Sequence, residues 1–248
     1  MRPILVITGG SRGIGAAIAI GAANRGYDLA LAYRSRDDAA ARVAAECERH
    51  GARALPVRAD VADESDVARL FTTVDAELGP LSGLVNNAGV TAPTARVEQI
   101  DAARVERLLR VNVVSAFVCC AAAVRRMSTR HGGTGGAIVN VSSRAAVLGS
   151  PGEYVDYAAS KAALDTLTVG LAKEVAAEGI RVNGVRPGLV RTEIHAHTGD
   201  PDRVRRLSPT IPLGRGGEAH EVAAAVLWLL SPEASYITAA MLDVGGGR

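Results

Sequence analysis

Ile4-Leu-Val-Ile-Thr-Gly-Gly-Ser-Arg-Gly-Ile-Gly15 decides the fold. A short apolar run, mostly β-branched, reads as a buried strand. It breaks into glycines at 9, 13 and 15, and good helix formers follow. Glycine at those places permits a tight turn, close approach of backbone to a phosphate, and close packing of helix on strand. The helix N-terminus behind the turn favours an anion. Glycines in this spacing are weak evidence alone, but a strand before and a helix after make the loop a phosphate cradle.

Outward from that unit, apolar β-branched runs alternate with amphipathic stretches to the end of the chain. Strands are expected near 3–8, 28–33, 54–59, 83–86, 137–142, 180–185 and 240–244, and helices near 13–25, 37–50, 64–78, 101–128, 157–178 and 218–231. The third helix shows its period in Val67, Leu70, Phe71, Val74 and Leu78. The pattern predicts an α/β fold: one doubly wound domain over residues 1–248, a parallel seven-stranded sheet with helices on both faces. Gly132-Gly-Thr-Gly-Gly136 is a turn within it, and no repeat of 20–50 residues is visible.

The 248 residues can bury a sizeable core. Charged residues are 22% and the net charge is +2, without a long single-sign run, so nothing calls for nucleic acid or an anionic membrane. Cys47, Cys119 and Cys120 form no metal spacing and read as buried thiols in a reducing, cytoplasmic setting. The apolar run at the start is too short for a signal peptide or a membrane span.

Ligands of such sheets lie beyond the carboxyl ends of the strands. There the glycine loop supplies Gly9, Ser11, Arg12, Gly13, Ile14 and Gly15. About twenty residues on, where a carboxylate would hold the ribose 2′-hydroxyl of NAD, the second strand ends in Tyr33 and Arg34. No acid stands there to repel a 2′-phosphate, and Arg34 with Arg12 suits one, so NADP is favoured with NAD possible. The competing reading pairs Arg34 and Arg36 with Asp37 and Asp38 on the surface. Asp60 and Val61 end the third strand, where Asp60 either accepts from the adenine amino group or caps the next helix. Asn86-Asn87-Ala88-Gly89 ends the fourth, as a wall beside adenosine or as a turn.

Tyr157-Ala-Ala-Ser-Lys161 completes the chemistry. On a helix the phenol and the ammonium share a face. A nearby ammonium favours the phenolate and lowers the tyrosine pKa toward neutrality, which makes Tyr157 a proton donor. A packed tyrosine and a solvated lysine would show the same spacing.

Thr8-Gly-x-x-x-Gly-x-Gly15, Asn86-Asn-Ala-Gly89, Asn112, Ser142-Ser143, Tyr157-x-x-x-Lys161 and Arg186-Pro-Gly188 stand in one order along the chain. In this the whole chain resembles the short-chain dehydrogenase/reductase family, in the group of about 250 residues that holds 3-oxoacyl-carrier reductases and glucose dehydrogenases. The resemblance implies a catalytic tetrad of Asn112, Ser143, Tyr157 and Lys161. It gives Lys161 the nicotinamide ribose, and Asn112 a proton-relaying water within an interrupted helix. Pro187, Gly188, Val190 and Thr192 would surround the nicotinamide amide and pyrophosphate. The family's serine usually precedes the tyrosine by thirteen residues. Here Ser143 precedes by fourteen, which keeps Ser142 as a fallback and places an extra residue in 150–156.

The resemblance further implies an oxidoreductase acting on a ketone, aldehyde or secondary alcohol, with a substrate lid at about 191–215. A 3-oxoacyl thioester reductase of fatty-acid or polyketide synthesis is the alternative, and a non-catalytic NADP-binding sensor a distant one. Glu153, Tyr154, Arg144 and His195 suggest a partly polar pocket. His195 and His197 lack a third ligand, so no metal is assigned. Arg125, Arg126 and Arg130 suit either an acidic carrier protein or a solvated helix end. A homotetramer is implied through the outer faces of the helices at 101–128 and 157–178.

Overall fold

The computed structural model describes residues 2–193, 200 and 202–248. β1 (Ile4–Thr8) is buried along its whole length, and its side chains alternate between two cores: Ile4 and Val6 face one, Leu5 and Ile7 the other. Beside it lie β2 (Asp28–Tyr33) and β3 (Ala54–Arg58) on one side, with β4 (Leu81–Asn86), β5 (Gly136–Val141), β6 (Ile180–Pro187) and β9 (Met241–Val244) on the other. The order is β3-β2-β1-β4-β5-β6-β9 and every pair is parallel, giving the seven-stranded sheet the sequence predicts.

One face is covered by α1 (Gly13–Asn24), α2 (Asp37–Arg49) and α9 (Ala219–Leu230), which bury Ile18, Val43, Cys47 and Leu227. The other is covered by α3 (Glu64–Glu77), α5 (Ser115–Met127) and α7 (Val155–Val175). There Val67, Leu70, Phe71 and Val74 pack on the sheet, as their helical period requires. All three cysteines are buried and free.

One expectation is corrected and three features are added. Asp63, not Asp60, caps α3, its side chain accepting from the Ser65 and Asp66 amides, so the capping reading of Asp60 is set aside. The helix expected at 101–128 is α4 (Ala102–Leu109) and α5 joined by a π turn over Arg110–Val114. A short α6 (Ala145–Leu148) follows β5. The segment at 191–215 has its ends tied together, because β7 (Val190–Arg191) pairs in parallel with β8 (Gly217–Glu218). Within it lies α8 (Arg203–Leu207).

By length and hydropathy Ala102–Met127 alone among the described helices could cross a bilayer. Its inner face, including Leu108, Cys119, Ala123 and Met127, is packed inside the fold. Of the terminal arginine cluster, Arg126 donates to Asp75 at 2.7–2.9 Å and lies 5.2 Å from the Phe71 ring centroid, while Arg130 lies 3.9 Å from Glu178. Those two guanidiniums meet partners within the chain.

Candidate active site

Strand order reverses between β1 and β4, which opens a crevice at their carboxyl ends. Thr8 stitches its two sides. Its hydroxyl accepts from the Asn87 and Ala88 amides, both at 3.0 Å, and Asn87 Nδ2 donates back to the carbonyls of Thr8 and Gly9 at 2.9 and 3.1 Å. Gly9 turns with φ +66°, and a Cβ at Gly15 would lie 2.2 Å from the Gly9 carbonyl oxygen. Glycine is therefore required for α1 to start this close to the loop. The crevice is a cleft of about 680 Å³. It is lined by Gly9, Ser11, Arg12, Gly13, Ile14, Tyr33, Arg34, Asp60, Val61, Asn87, Ala88, Gly89, Ser143, Tyr157, Lys161, Pro187, Gly188, Val190 and Thr192. Of the residues singled out from sequence, Asn112 and Gly15 stand behind its wall.

Tyr157 and Lys161 sit one turn apart on α7, and the sheet fixes that helix in register. Ser142 donates to the Lys161 carbonyl at 3.1 Å, and Lys161 Nζ donates to the Val141 carbonyl at 2.9 Å. Asn140 Nδ2 reaches Thr168 at 2.8 Å. Ser142 is thus buried and engaged with α7, while Ser143 lines the cleft near the Tyr157 phenol, whose pKa its hydroxyl lowers. Asn112, on the π turn, holds both backbone groups of Val90, at 2.8 and 2.9 Å, and donates to Ser160 at 3.0 Å. A Cβ at Gly89 would lie 3.3 Å from both Asn112 Oδ1 and Lys161 Nζ, so the two side chains converge there.

The electrostatics correct one expectation. Lys161 Nζ lies 5.9 Å from the Tyr157 ring centroid, and the phenol is not pulled down toward neutrality. Burial pushes it up to about 12, with the nearby Ser143 hydroxyl opposing. Burial also lowers Lys161 to about 8, against the attraction of Asp165. In the ligand-free protein desolvation outweighs the pairing that the spacing suggests, because the cation is held by a backbone carbonyl rather than by the phenol.

At the far end Arg34 Nη1 lies 3.9 Å from Asp60, and burial together with the nearby Asp37 carboxylate raises the Tyr33 phenol. Arg36 pairs with Asp38 at 3.3 Å, and Arg12 with Glu193 at 3.3 Å. The surface-pairing reading thus holds for Arg36, whereas Arg34 turns to the neighbouring strand end. An acid therefore stands near Arg34 after all, supplied by β3 rather than β2. These are exposed pairs, weak enough for a ligand anion to exchange with.

The opposite end is walled by Leu148, Pro151, Glu153, Tyr154, Arg144, Arg203 and Arg248. Arg203 and Arg248 carried no signal in the sequence, since α8 reads as a run of solvated arginines and the tail as surface. His195 and His197 lie outside the described residues. No cluster of three metal-ligating side chains occurs among the described residues.

The profile of the family described as Enoyl-(Acyl carrier protein) reductase matches residues 9–248. A short-chain type dehydrogenase/reductase from Mycobacterium marinum is 34% identical, with a TM-score of 0.92 over 99% of this chain and 94% of that one. The chain belongs to the short-chain dehydrogenase/reductase family. It is accordingly an oxidoreductase of CH–OH groups. The uncharacterized oxidoreductase YgfF of Escherichia coli (strain K12) is 52% identical over 245 residues, 99% of each chain. A short-chain dehydrogenase from Burkholderia cenocepacia J2315, solved in complex with NADP, is 35% identical, with a TM-score of 0.89 over 99% of this chain and 97% of that one. The family's nicotinamide dinucleotide suits the donors present: a helix N-terminus behind a close-packed glycine loop for the pyrophosphate, and one continuous cleft from Arg34 to Tyr157.

Proposed function

We propose that this protein is an NADP(H)-preferring reductase or dehydrogenase of a small ketone, aldehyde or secondary alcohol, with Tyr157 as general acid and base. The observation that carries the reading is the Tyr157 phenol, facing the same cleft as Ser143 and one turn from Lys161. When bound, the nicotinamide supplies or accepts the hydride at the substrate carbon. In reduction the substrate oxygen lies between Ser143 and Tyr157. Ser143 donates to it as negative charge develops, and Tyr157 gives up the phenolic proton, so the carbonyl becomes CH–OH. The phenol at about 12 is protonated at neutral pH, as a proton donor must be. Lys161, near 8, would hold the ribose and return a proton to Tyr157, with Asn112 completing the relay through a water. Arg34 and Arg12 hold the 2′-phosphate, with Tyr33, Asp60 and Val61 along the adenosine. Pro187, Gly188, Val190 and Thr192 close over the nicotinamide side, within one domain whose lid is 191–215.

A 3-oxoacyl thioester is the second substrate reading, supported by the acyl-carrier description of the matching family profile. The chain is expected to act as a cytoplasmic homotetramer. Self-association is supported by the apolar side chains Leu109, Val114 and Phe117 exposed on the outer side of α4, the π turn and α5. The test is NADPH and NADH oxidation over a panel of carbonyls that includes a β-ketoacyl thioester, with Tyr157→Phe as the blank. Turnover confined to the wild-type protein supports the reading and identifies the substrate class. Tight NADPH binding without turnover of any member would move the assignment to a cofactor-binding sensor.

A further inference from the structure

Arginine is almost never fully buried unless paired, yet Arg203 is 5% exposed at the substrate end of the cleft. Its two terminal nitrogens donate to the two oxygens of Glu153 at 2.9 and 2.5 Å, fork to fork. Its guanidinium carbon lies 5.1 Å from the Tyr154 ring centroid. Tyr154 in turn stands edge-on to Tyr157, with ring centroids 6.0 Å apart and planes at 89°. Glu153 reaches further still, because its backbone carbonyl accepts from the Ala95 amide at 2.8 Å. Three segments that wall the substrate end therefore meet at one residue: the loop after Gly89, the loop before α7, and α8 of the lid. Glu153 also lies in the 150–156 stretch that is one residue longer than the family spacing.

We propose that Glu153 and Arg203 are positioning residues for the substrate: their pair latches α8 onto the loop before α7 and, through Tyr154, fixes the wall against which the substrate carbonyl meets Tyr157. The latch is a property of the fold; its kinetic consequence rests on the oxidoreductase reading. Arginine's fork matches a carboxylate in a way lysine's point charge does not. Glu153→Gln removes the charge with little change in shape, and Arg203→Met removes the fork while filling its space.

The experiment compares the full chain with Glu153→Gln, Arg203→Met and the double variant. Hydrogen exchange of the α8 amides is measured without ligand. In each single variant those amides should exchange at least tenfold faster than in wild type, while the sheet amides remain protected. With a carbonyl that wild type reduces, each single variant should raise KM at least tenfold. Turnover number should stay within threefold and NADPH affinity within twofold, and the double variant should be no worse than the singles. Unchanged α8 exchange in both singles would overturn the latch. An unchanged KM, or a loss confined to turnover number or NADPH affinity, would overturn the positioning role. If wild type reduces nothing on the panel, the exchange comparison still decides the latch, and that failure belongs to the oxidoreductase reading instead. A single variant that does not fold is replaced in the comparison by the other.

Discussion

At the residue scale, the site is a balance between burial and pairing. Tyr157→Phe keeps the ring and removes the proton, so reductive turnover should fall about 10²–10⁴-fold with no loss of NADPH binding, as steady-state rates and a fluorescence titration would show. The two serines separate by geometry. Ser143 lines the cleft near the phenol while Ser142 bonds the Lys161 carbonyl. Ser143→Ala should cut turnover about 10²-fold, whereas Ser142→Ala should chiefly cost about 1 kcal/mol of stability. Comparable losses of turnover in both would contradict the assignment. Lys161 is 4% exposed and has a folded-state pKa of about 8, below its ordinary 10.5. Its charge therefore opposes folding fully below pH 8, and that penalty is relieved as pH rises from 8 to 10.5, where only the unfolded chain holds the proton. A depression of this size corresponds to roughly 3 kcal/mol, less about 1 kcal/mol for the bond to Val141. Lys161→Met should thus melt several degrees higher than wild type at pH 7 in the absence of ligand. The gap should close toward pH 10, and a gap that widens instead would refute the burial account.

At the element scale, the proposed cofactor preference rests on the ends of two neighbouring strands. Arg34 follows β2 and Asp60 follows β3, 3.9 Å apart, so the charge presented to a ribose phosphate is set jointly. Arg34→Asp removes one charge-assisted contact and adds a repulsion, and should shift the NADPH:NADH affinity ratio at least tenfold toward NADH. An unchanged ratio would show that Arg34 does not read the phosphate. The helices carry the other element-scale lesson. Apolar spacing on α7 points to Leu164, but the face turned inward also buries Ser160, Lys161, Asp165 and Thr168. Hydrogen bonds to β5, to Arg186 of β6 and to the π turn stabilise those polar groups there, and the same bonds hold Tyr157 at its height above the sheet. The π turn at Asn112 follows the same logic. A polar residue in an apolar run marks a side chain whose partners, the Val90 backbone and Ser160, lie on other elements.

At the scale of the whole molecule, an exposed apolar stripe is left on the α4–α5 side. Phe117 is 52% exposed, with Val114 and Leu109 beside it. If that stripe is a subunit seam, Phe117→Glu should shift the light-scattering mass to a smaller species, with little change in the folded protomer because about half of the residue already faces solvent. A mass unchanged by Phe117→Glu would place the seam elsewhere.

The alternating pattern of strands and helices, the glycine loop and the Tyr157–Lys161 spacing were legible in the sequence because each depends on local periods and turn chemistry. With them came the parallel sheet, the cleft at its carboxyl edge and nearly every residue that lines its cofactor side. What the sequence by itself determined is thus the frame and the chemistry placed on it. Only the tertiary structure decided which serine faces the phenol, how far burial moves Tyr157 and Lys161 from their ordinary protonation, and that Asp60 meets Arg34. It alone revealed Arg203 locked to Glu153, fifty residues away in the chain. Those outcomes turn on desolvation and on contacts between distant segments, which the order of residues along one segment does not encode.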